Sequence, residues 1–307
     1  MRKTLICALF CLVSLSLPQA AHSQTVQFLN INPDPAVTGL SGISAPAKAN
    51  AFAFWNNTAA TVFSESRMEA GVSYGQWQPN TSDNSSIAVG AFGRITDFLA
   101  VTASYRNFTH KSYTIMDENG IDKGKFTPEE YSAGAGLAFK ILPILSVGAN
   151  INYVSSKIGV GEKADAVTFD ICANAVLEDL SVGLTANNLG SKISYGEGVS
   201  YSLPSTVKLG AAYSLAINEL HNVTPMAQVG SLTDDFSVFA EAGAEYSYKD
   251  FAFVRAGYHY GDEKKYIPSF FSLGLGVRFF GFGLNAAYQL GSSNVNNSFL
   301  IALSWGF

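Results

Sequence analysis

Phe299-Leu-Ile-Ala-Leu-Ser-Trp-Gly-Phe307 is the stretch that decides the fold. Phe299, Ile301, Leu303, Trp305 and Phe307 take every second position. Ala302, Ser304 and Gly306 fill the gaps with small residues, and Leu300 is the exception. A period of two sets the large apolar side chains on one face of a strand and the small ones on the other. A soluble sheet would turn a polar face outward. Large outside and small inside is the pattern of a strand with lipid on one side.

The same alternation recurs along the chain. In Leu180-Ser-Val-Gly-Leu-Thr-Ala186 the apolar Leu180, Val182, Leu184 and Ala186 alternate with Ser181, Gly183 and Thr185. In Phe271-Ser-Leu-Gly-Leu-Gly-Val-Arg-Phe279 the charge at Arg278 falls on the small-residue face, where a wet lumen tolerates it and lipid would not. Strands are expected near 67–77, 84–94, 98–109, 129–140, 143–156, 165–177, 179–189, 204–215, 221–232, 236–248, 251–261, 268–279, 281–291 and 296–307. Each is close to the ~10 residues that cross a bilayer when tilted. The expected class is all-β: a transmembrane antiparallel β-barrel of about 14 strands over residues 66–307, with an N-terminal lumenal segment over 24–65.

Composition agrees. The chain has 28 Gly and 13% aromatic residues but only 14% charged residues, against roughly 25% in a typical soluble domain. The connections alternate as well. Ile95-Thr-Asp97, Ile141-Leu142, Glu178, Ala216 to Leu220, Lys249-Asp250 and Phe280 are brief. His110 to Pro128, Ser156 to Ala164 and Gly190 to Leu203 are long, as outer loops of barrels are.

Both ends carry export features. Met1-Arg-Lys, the apolar run Leu5 to Leu17, and Pro18-Gln-Ala-Ala-His-Ser read as a secretory signal peptide over 1–23, too short to span as a helix. Its removal would take the formal charge from −5 to −7 and leave Cys172 as the one cysteine, which cannot form an internal disulfide. A mildly acidic balance gives no footprint for nucleic acid. Phe299, Ile301, Leu303, Trp305 and Phe307 resemble the signal that hands outer-membrane barrels to their insertion machinery. The expected location is therefore the outer membrane of a Gram-negative bacterium. Its lipid and that machinery are the expected partners.

One polar constellation stands out. Glu241 and Glu245 share a strand face, as do Arg255 and His259 on the next strand. A turn of odd length between them would set Glu245 opposite Arg255 and Glu241 opposite His259. They serve either as structural charge pairs in a filled lumen or as a polar lining for cargo or solute. Other patterns resolve to bland readings. Gly134-Ala-Gly136 and Gly274-Leu-Gly276 lack the helix a nucleotide loop needs. His110, His221 and His259 are far apart, without ligands at metal spacing. No Ser sits in a Gly-x-Ser-x-Gly elbow. Neither enzyme activity nor a cofactor is expected.

Residues Gln24 to Glu65 break the strand pattern with Pro33, Pro35 and Pro46. Three of their segments, Phe28-Leu-Asn-Ile-Asn-Pro-Asp-Pro-Ala36, Gly39-Leu-Ser-Gly-Ile-Ser44 and Phe54-Trp-Asn-Asn-Thr-Ala-Ala60, resemble the PorV/PorQ family. That family lies within the long-chain fatty-acid-transporter-like (FadL-like) barrels. The group usually reads Asn-Pro-Ala where this chain has Asn57-Thr58-Ala59, and it tends to carry more Gly in the Gly39–Ser44 turn. The resemblance implies an N-terminal hatch in the lumen, with Phe54, Trp55, Asn56 and Asn57 as its packing and capping residues. It implies one of two roles. PorV-like members are non-enzymatic parts of type IX secretion that receive the sorting domain of exported cargo for attachment at the cell surface. FadL-like members transport hydrophobic small molecules.

Overall fold

The computed structural model describes residues 26–79, 82–195, 200–234, 236–262, 267–291, 295 and 297–307. The expected signal peptide over 1–23 lies outside them. Among the described residues, fourteen antiparallel strands close into a barrel. They are β1 (Met68–Trp77), β2 (Asn84–Arg94), β3 (Leu99–Thr109), β4 (Glu129–Leu142), β5 (Leu145–Gly159), β6 (Glu162–Leu177) and β7 (Leu180–Gly190). There follow β8 (Thr206–Tyr213, continued by Leu215–Asn218), β9 (His221–Leu232), β10 (Val238–Tyr248), β11 (Ala252–Tyr260), β12 (Phe270–Phe279), β13 (Phe282–Gly291) and β14 (Ser298–Gly306). Each strand pairs with its neighbours in sequence, and β14 closes on β1 with Glu69 opposite Gly306 and Gln76 opposite Phe299. Phe307 completes that seam: its N–H donates to Met68 O at 3.0 Å, and its carbonyl accepts from Arg67 and Met68. Closure removes the free edge that an open sheet would expose to lipid.

The alternation read from the sequence sets the two faces. Leu184, Leu275, Val277, Ile301 and Leu303 are exposed outward, while Thr185, Ser272, Leu300 and Ala302 are buried inward. Aromatic rings gather at both rims, as interfacial girdles do. Tyr105, Tyr131 and Tyr153 stand ring beside ring at one rim, with centroids 6.5 and 6.1 Å apart. Phe251, Phe279 and Phe280 cluster at the other, near Trp305 and Phe307, whose rings lie 4.9 Å apart. The second rim carries the tight turns. Phe280 and Gly281 have φ of 48° and 81°, the left-handed pair that a two-residue hairpin requires.

The long connections differ from expectation. Ser156 to Ala164 is not a loop, because the β5–β6 ladder continues through Ser156↔Ala164 and Lys157↔Lys163 to the turn Val160-Gly161. Above the bilayer both faces of a hairpin are wet, so the apolar–small alternation lapses while pairing does not. His110 to Pro128 likewise contains a hairpin of Tyr113–Met116 against Asp122–Phe126. At its turn the Ile121 amide, the Lys123 ammonium and the Asn119 amide hold the Asp117 carboxyl below its ordinary range. Gly190 to Leu203 contains a two-residue pairing, Ile193–Ser194 with Ser200–Tyr201. The expected turn Ala216 to Leu220 shrinks, since Leu215–Asn218 still pairs with β9 through a bulge.

Candidate functional site

Residues 26–65 form four short helical turns, which are packed against the inward face of the barrel. The 3-10 turn Gln27–Asn30 buries Val26, Phe28 and Leu29 against Phe108, Val154, Ile193 and Leu203 beneath the outer loops. Arg106 lies 4.7 Å above the Phe28 ring and donates to Ile31 O at 2.6 Å. The chain then turns across the lumen. Helix α1 (Pro35–Thr38) starts with Pro at its first position and Asp34 as its cap, accepting from Ala36 N at 2.9 Å. The other Asp34 oxygen accepts from Asn50 and Asn56, both at 2.7 Å, and Asn32 donates to Asn56 at 2.8 Å. One buried carboxylate thus ties together three parts of the segment.

Inward glycines let the segment lie against the wall. A Cβ at Gly39 would fall 2.7 Å from the Cα of Gly274 on β12. A Cβ at Gly183 on β7 would overlap the Ala45 carbonyl, and one at Gly210 on β8 would come within 2.7 Å of Pro46. Gly90 on β2 and Gly134 on β4 lie against Ala51 and Phe54. Glycine in a strand interior costs stability, so its use here has this packing reason.

Hydrogen bonds fix the same contacts. Gln228 on β9 is a clamp: its Oε1 accepts from Ser44 N at 3.1 Å and Ala45 N at 2.8 Å, and its Nε2 donates to Gly42 O at 3.3 Å and to Glu241. Ser41 and Ser272 hydroxyls meet at 2.6 Å. Asn150 donates to Phe54 O and accepts from Thr58, while Ser146 donates to Ala59 O. Phe54, Trp55, Asn56 and Asn57 lie together in and after helix α2 (Ala53–Asn56). Phe54 and Trp55 meet edge to face at 5.6 Å. Asn57 caps the following turn through Ala59 N and donates to Ala45 O and Ala173 O.

The turn between β10 and β11 holds Lys249 to Phe251, an odd number, so Glu245 faces Arg255 and Glu241 faces His259. The pairs measure 2.6 Å and 3.1 Å. Arg255 also donates to Asn285 at 2.9 Å. The His259 ring lies between Phe270, at 4.8 Å, and Phe239, at 5.3 Å. Phe299, Ile301, Leu303, Trp305 and Phe307 stand apart from the lumen, exposed on the outer face. Asp34, Arg106, Asn150, Gln228 and Ser272 were not singled out from the sequence. For Arg106, Asn150, Gln228 and Ser272 the one legible signal is a polar residue at an inward position of an alternating strand; for Asp34 it is an acidic residue just before Pro35, a helix-cap position.

The segment separates two cavities. One of about 540 Å³ lies at the loop end, lined by Trp77, Phe239, His259, Phe270 and Gln289 above Thr38, Ser41 and Gly42. The other, about 600 Å³, lies at the tight-turn end and is lined by Lys48, Glu65, Glu69, Glu178, Asp250 and Arg278 below Asp34 and Val37. A closed antiparallel barrel with its lumen crossed by its own N-terminal segment defines the class: a transmembrane β-barrel with an internal stopper.

Solved structures agree on the fold. The Ralstonia pickettii toluene transporter TbuX superposes with a TM-score of 0.61 at 13% identity, covering 89% of this chain and 98% of that one. The CymD monoaromatic hydrocarbon channel gives 0.61 at 12% identity, covering 93% and 99%. A Pseudomonas aeruginosa FadL homologue gives 0.52 at 13%, covering 89% and 98%. No curated protein sequence matches the chain. The family model for type IX secretion system protein PorV matches residues 17–235, and the chain belongs to that family.

Proposed function

We propose that this protein is a non-enzymatic, stoppered outer-membrane component of type IX secretion that receives the sorting domain of exported cargo for attachment at the cell surface. The observation that carries the reading is the N-terminal segment, tied to β9, β12 and β5 through Gln228, Ser272 and Asn150 between two separate cavities. A lumen filled in this way suits a protein that works through its surfaces. In this reading, residues 1–23 direct export and the outer face of β14 engages the insertion machinery.

Removal of residues 25–60 tests it. The strands remain, so the truncated barrel should insert and conduct ions in planar bilayers while the intact barrel stays nearly silent. In cells that carry type IX cargo, the intact protein should co-purify with the cargo sorting domain. Large steady conductance from the intact barrel, with no cargo capture, overturns the reading.

The apolar lining of the 540 Å³ cavity favours a second reading, transport of hydrophobic small molecules across the outer membrane, the kind of role TbuX is described as having. Uptake of such a solute that depends on the protein, without cargo capture, would select it.

A further inference from the structure

We infer that the outer face of β4, β5 and β6, just above the lipid band, binds a phosphorylated glycolipid of the outer leaflet. This rests on the barrel and its orientation, not on the secretion reading. Among the described residues of the fourteen wall strands, outward charge at the loop end is confined to this face. It comes from Glu129 on β4, Lys157 on β5, and Lys163 and Asp165 on β6. Register sets these side chains in two rows. Glu129, Lys157 and Lys163 stand in line across the three strands, and Tyr131, Ser155 and Asp165 form the line beneath. The rings of Tyr105, Tyr131 and Tyr153 mark the interface below them. From Tyr153 to Lys157 a strand tilted by about 40° rises about 10 Å, which brings the lysines to headgroup height.

Two features define the occupant. Lys157 and Lys163 are directly opposed across the ladder, an arrangement that like charges make unfavourable. Lys163 meets Asp165 at 3.4 Å and Lys157 lies 5.6 Å from the centre of the Phe126 ring, and neither contact bridges the two ammonium groups. A phosphate held between them does so and relieves the repulsion. The second feature is the acid and ring chemistry alongside. The Asp165 carboxylate sits by the Ser155 and Tyr153 hydroxyls and keeps 42% of its side chain exposed, so it can accept from sugar hydroxyls. The Tyr131 and Tyr153 rings, 6.1 Å apart, offer flat faces for the C–H side of a sugar. Two cations and two acids leave the patch neutral. Net charge therefore gives a simple anionic phospholipid no advantage, whereas a headgroup with both phosphate and hydroxyls meets every side chain.

Native mass spectrometry of the mature full chain, folded in detergent, tests this with three probes: diphosphorylated lipid A, its dephosphorylated form, and phosphatidylglycerol. Diphosphorylated lipid A should form a one-to-one complex about tenfold tighter than either of the others. Lys157→Gln combined with Lys163→Gln should weaken it about tenfold, the scale of two exposed charge contacts. The matched pair Lys123→Gln with Lys125→Gln, on the outer hairpin, should leave it unchanged. Asp165→Asn should narrow the preference for lipid A over phosphatidylglycerol. Heat-modifiable migration reports that each variant is folded. In phosphatidylcholine nanodiscs the Lys157/Lys163 variant should melt no lower than the parent, since a repulsion is removed, and added lipid A should raise the melting point of the parent alone. Absence of a one-to-one complex, equal binding of phosphatidylglycerol, an unchanged preference in Asp165→Asn, or undiminished lipid A binding without the two lysines would each overturn the proposal.

Discussion

Gln228→Leu is expected to loosen the lumenal segment while leaving the wall intact. The side chain serves Ser44 N, Ala45 N, Gly42 O and a Glu241 oxygen, and both amides belong to buried residues. Each buried group left unmet costs about 1–3 kcal/mol. Simple addition overstates the total, because neighbouring losses are not additive and the adjacent cavity lets water reach Gly42 and Glu241. An effect of about 2–4 kcal/mol on local opening remains, which is roughly 30- to 700-fold in the opening equilibrium. The β9 backbone keeps its pairing, with Gln228 between Gly210 and Glu241. Amide hydrogen exchange of the full chain in nanodiscs, read on peptides covering 40–60 and on those covering β9, measures this. Exchange at 42–45 should quicken by that factor while β9 does not change. Ser272→Ala, which removes one hydroxyl contact with Ser41, should quicken it no more than about tenfold. Exchange at 42–45 within twofold of the parent, or an equal rise in β9, would refute the clamp.

Two further outcomes follow from the outer face. Leu275 is 63% exposed at the middle of β12, opposite Val254 and Ala286, so Leu275→Arg should destabilise the barrel by about 2–4 kcal/mol in guanidinium titrations in vesicles. Leu275→Gln should cost clearly less, and equal costs would reverse the assignment of faces. Phe307→Asp puts a charge into the rim aromatic cluster beside Trp305 at the β1–β14 seam, so heat-modifiable barrel in the outer membrane should fall. Undiminished barrel after that change would remove Phe307 from any role in assembly.

The wall was legible because lipid leaves a strong mark on sequence. Every strand that crosses it must turn large apolar side chains outward, and the lumen side is left to small and polar residues. Where lipid ends, the mark ends. Thus Lys157 and Lys163 face each other across a continuing ladder that looked like loop. The pairs at Glu241 and Glu245 were legible only conditionally, since one residue more or fewer between Tyr248 and Ala252 would have separated them. The clamp was not legible. A glutamine at an inward position reads the same whether it meets water or the Ser44 amide, and the difference lies in where a distant segment of chain settles. Nor does an inward glycine name its neighbour: Gly183 makes way for Ala45 and Gly274 for Gly39, which only the settled segment reveals.

The segment also bears on which inward side chains are neutral. An open channel needs inward side chains that water can solvate, and ionised groups serve well. A filled lumen must instead satisfy buried backbone groups, for which a neutral amide costs far less to dehydrate than an unpaired ion. The contacts follow this logic. Asn32, Asn50, Asn56, Asn57, Asn150 and Gln228 carry most of the side-chain bonds that hold residues 32–60. The buried carboxylate in their midst, Asp34, is met by two amide side chains and a backbone N–H. Arg255, 6% exposed at its side chain, stands on Glu245 and Asn285, and none of its hydrogen bonds is to residues 32–60. The Glu245–Arg255 pair therefore braces the wall, while amides make most of the bonds to the segment, joined by Arg106 at Ile31 and Lys208 at Ser44. Release of the segment would uncover mainly amides and glycines, with the Arg106 and Lys208 cations as the exceptions, so the filled state is held by many bonds spread over several strands.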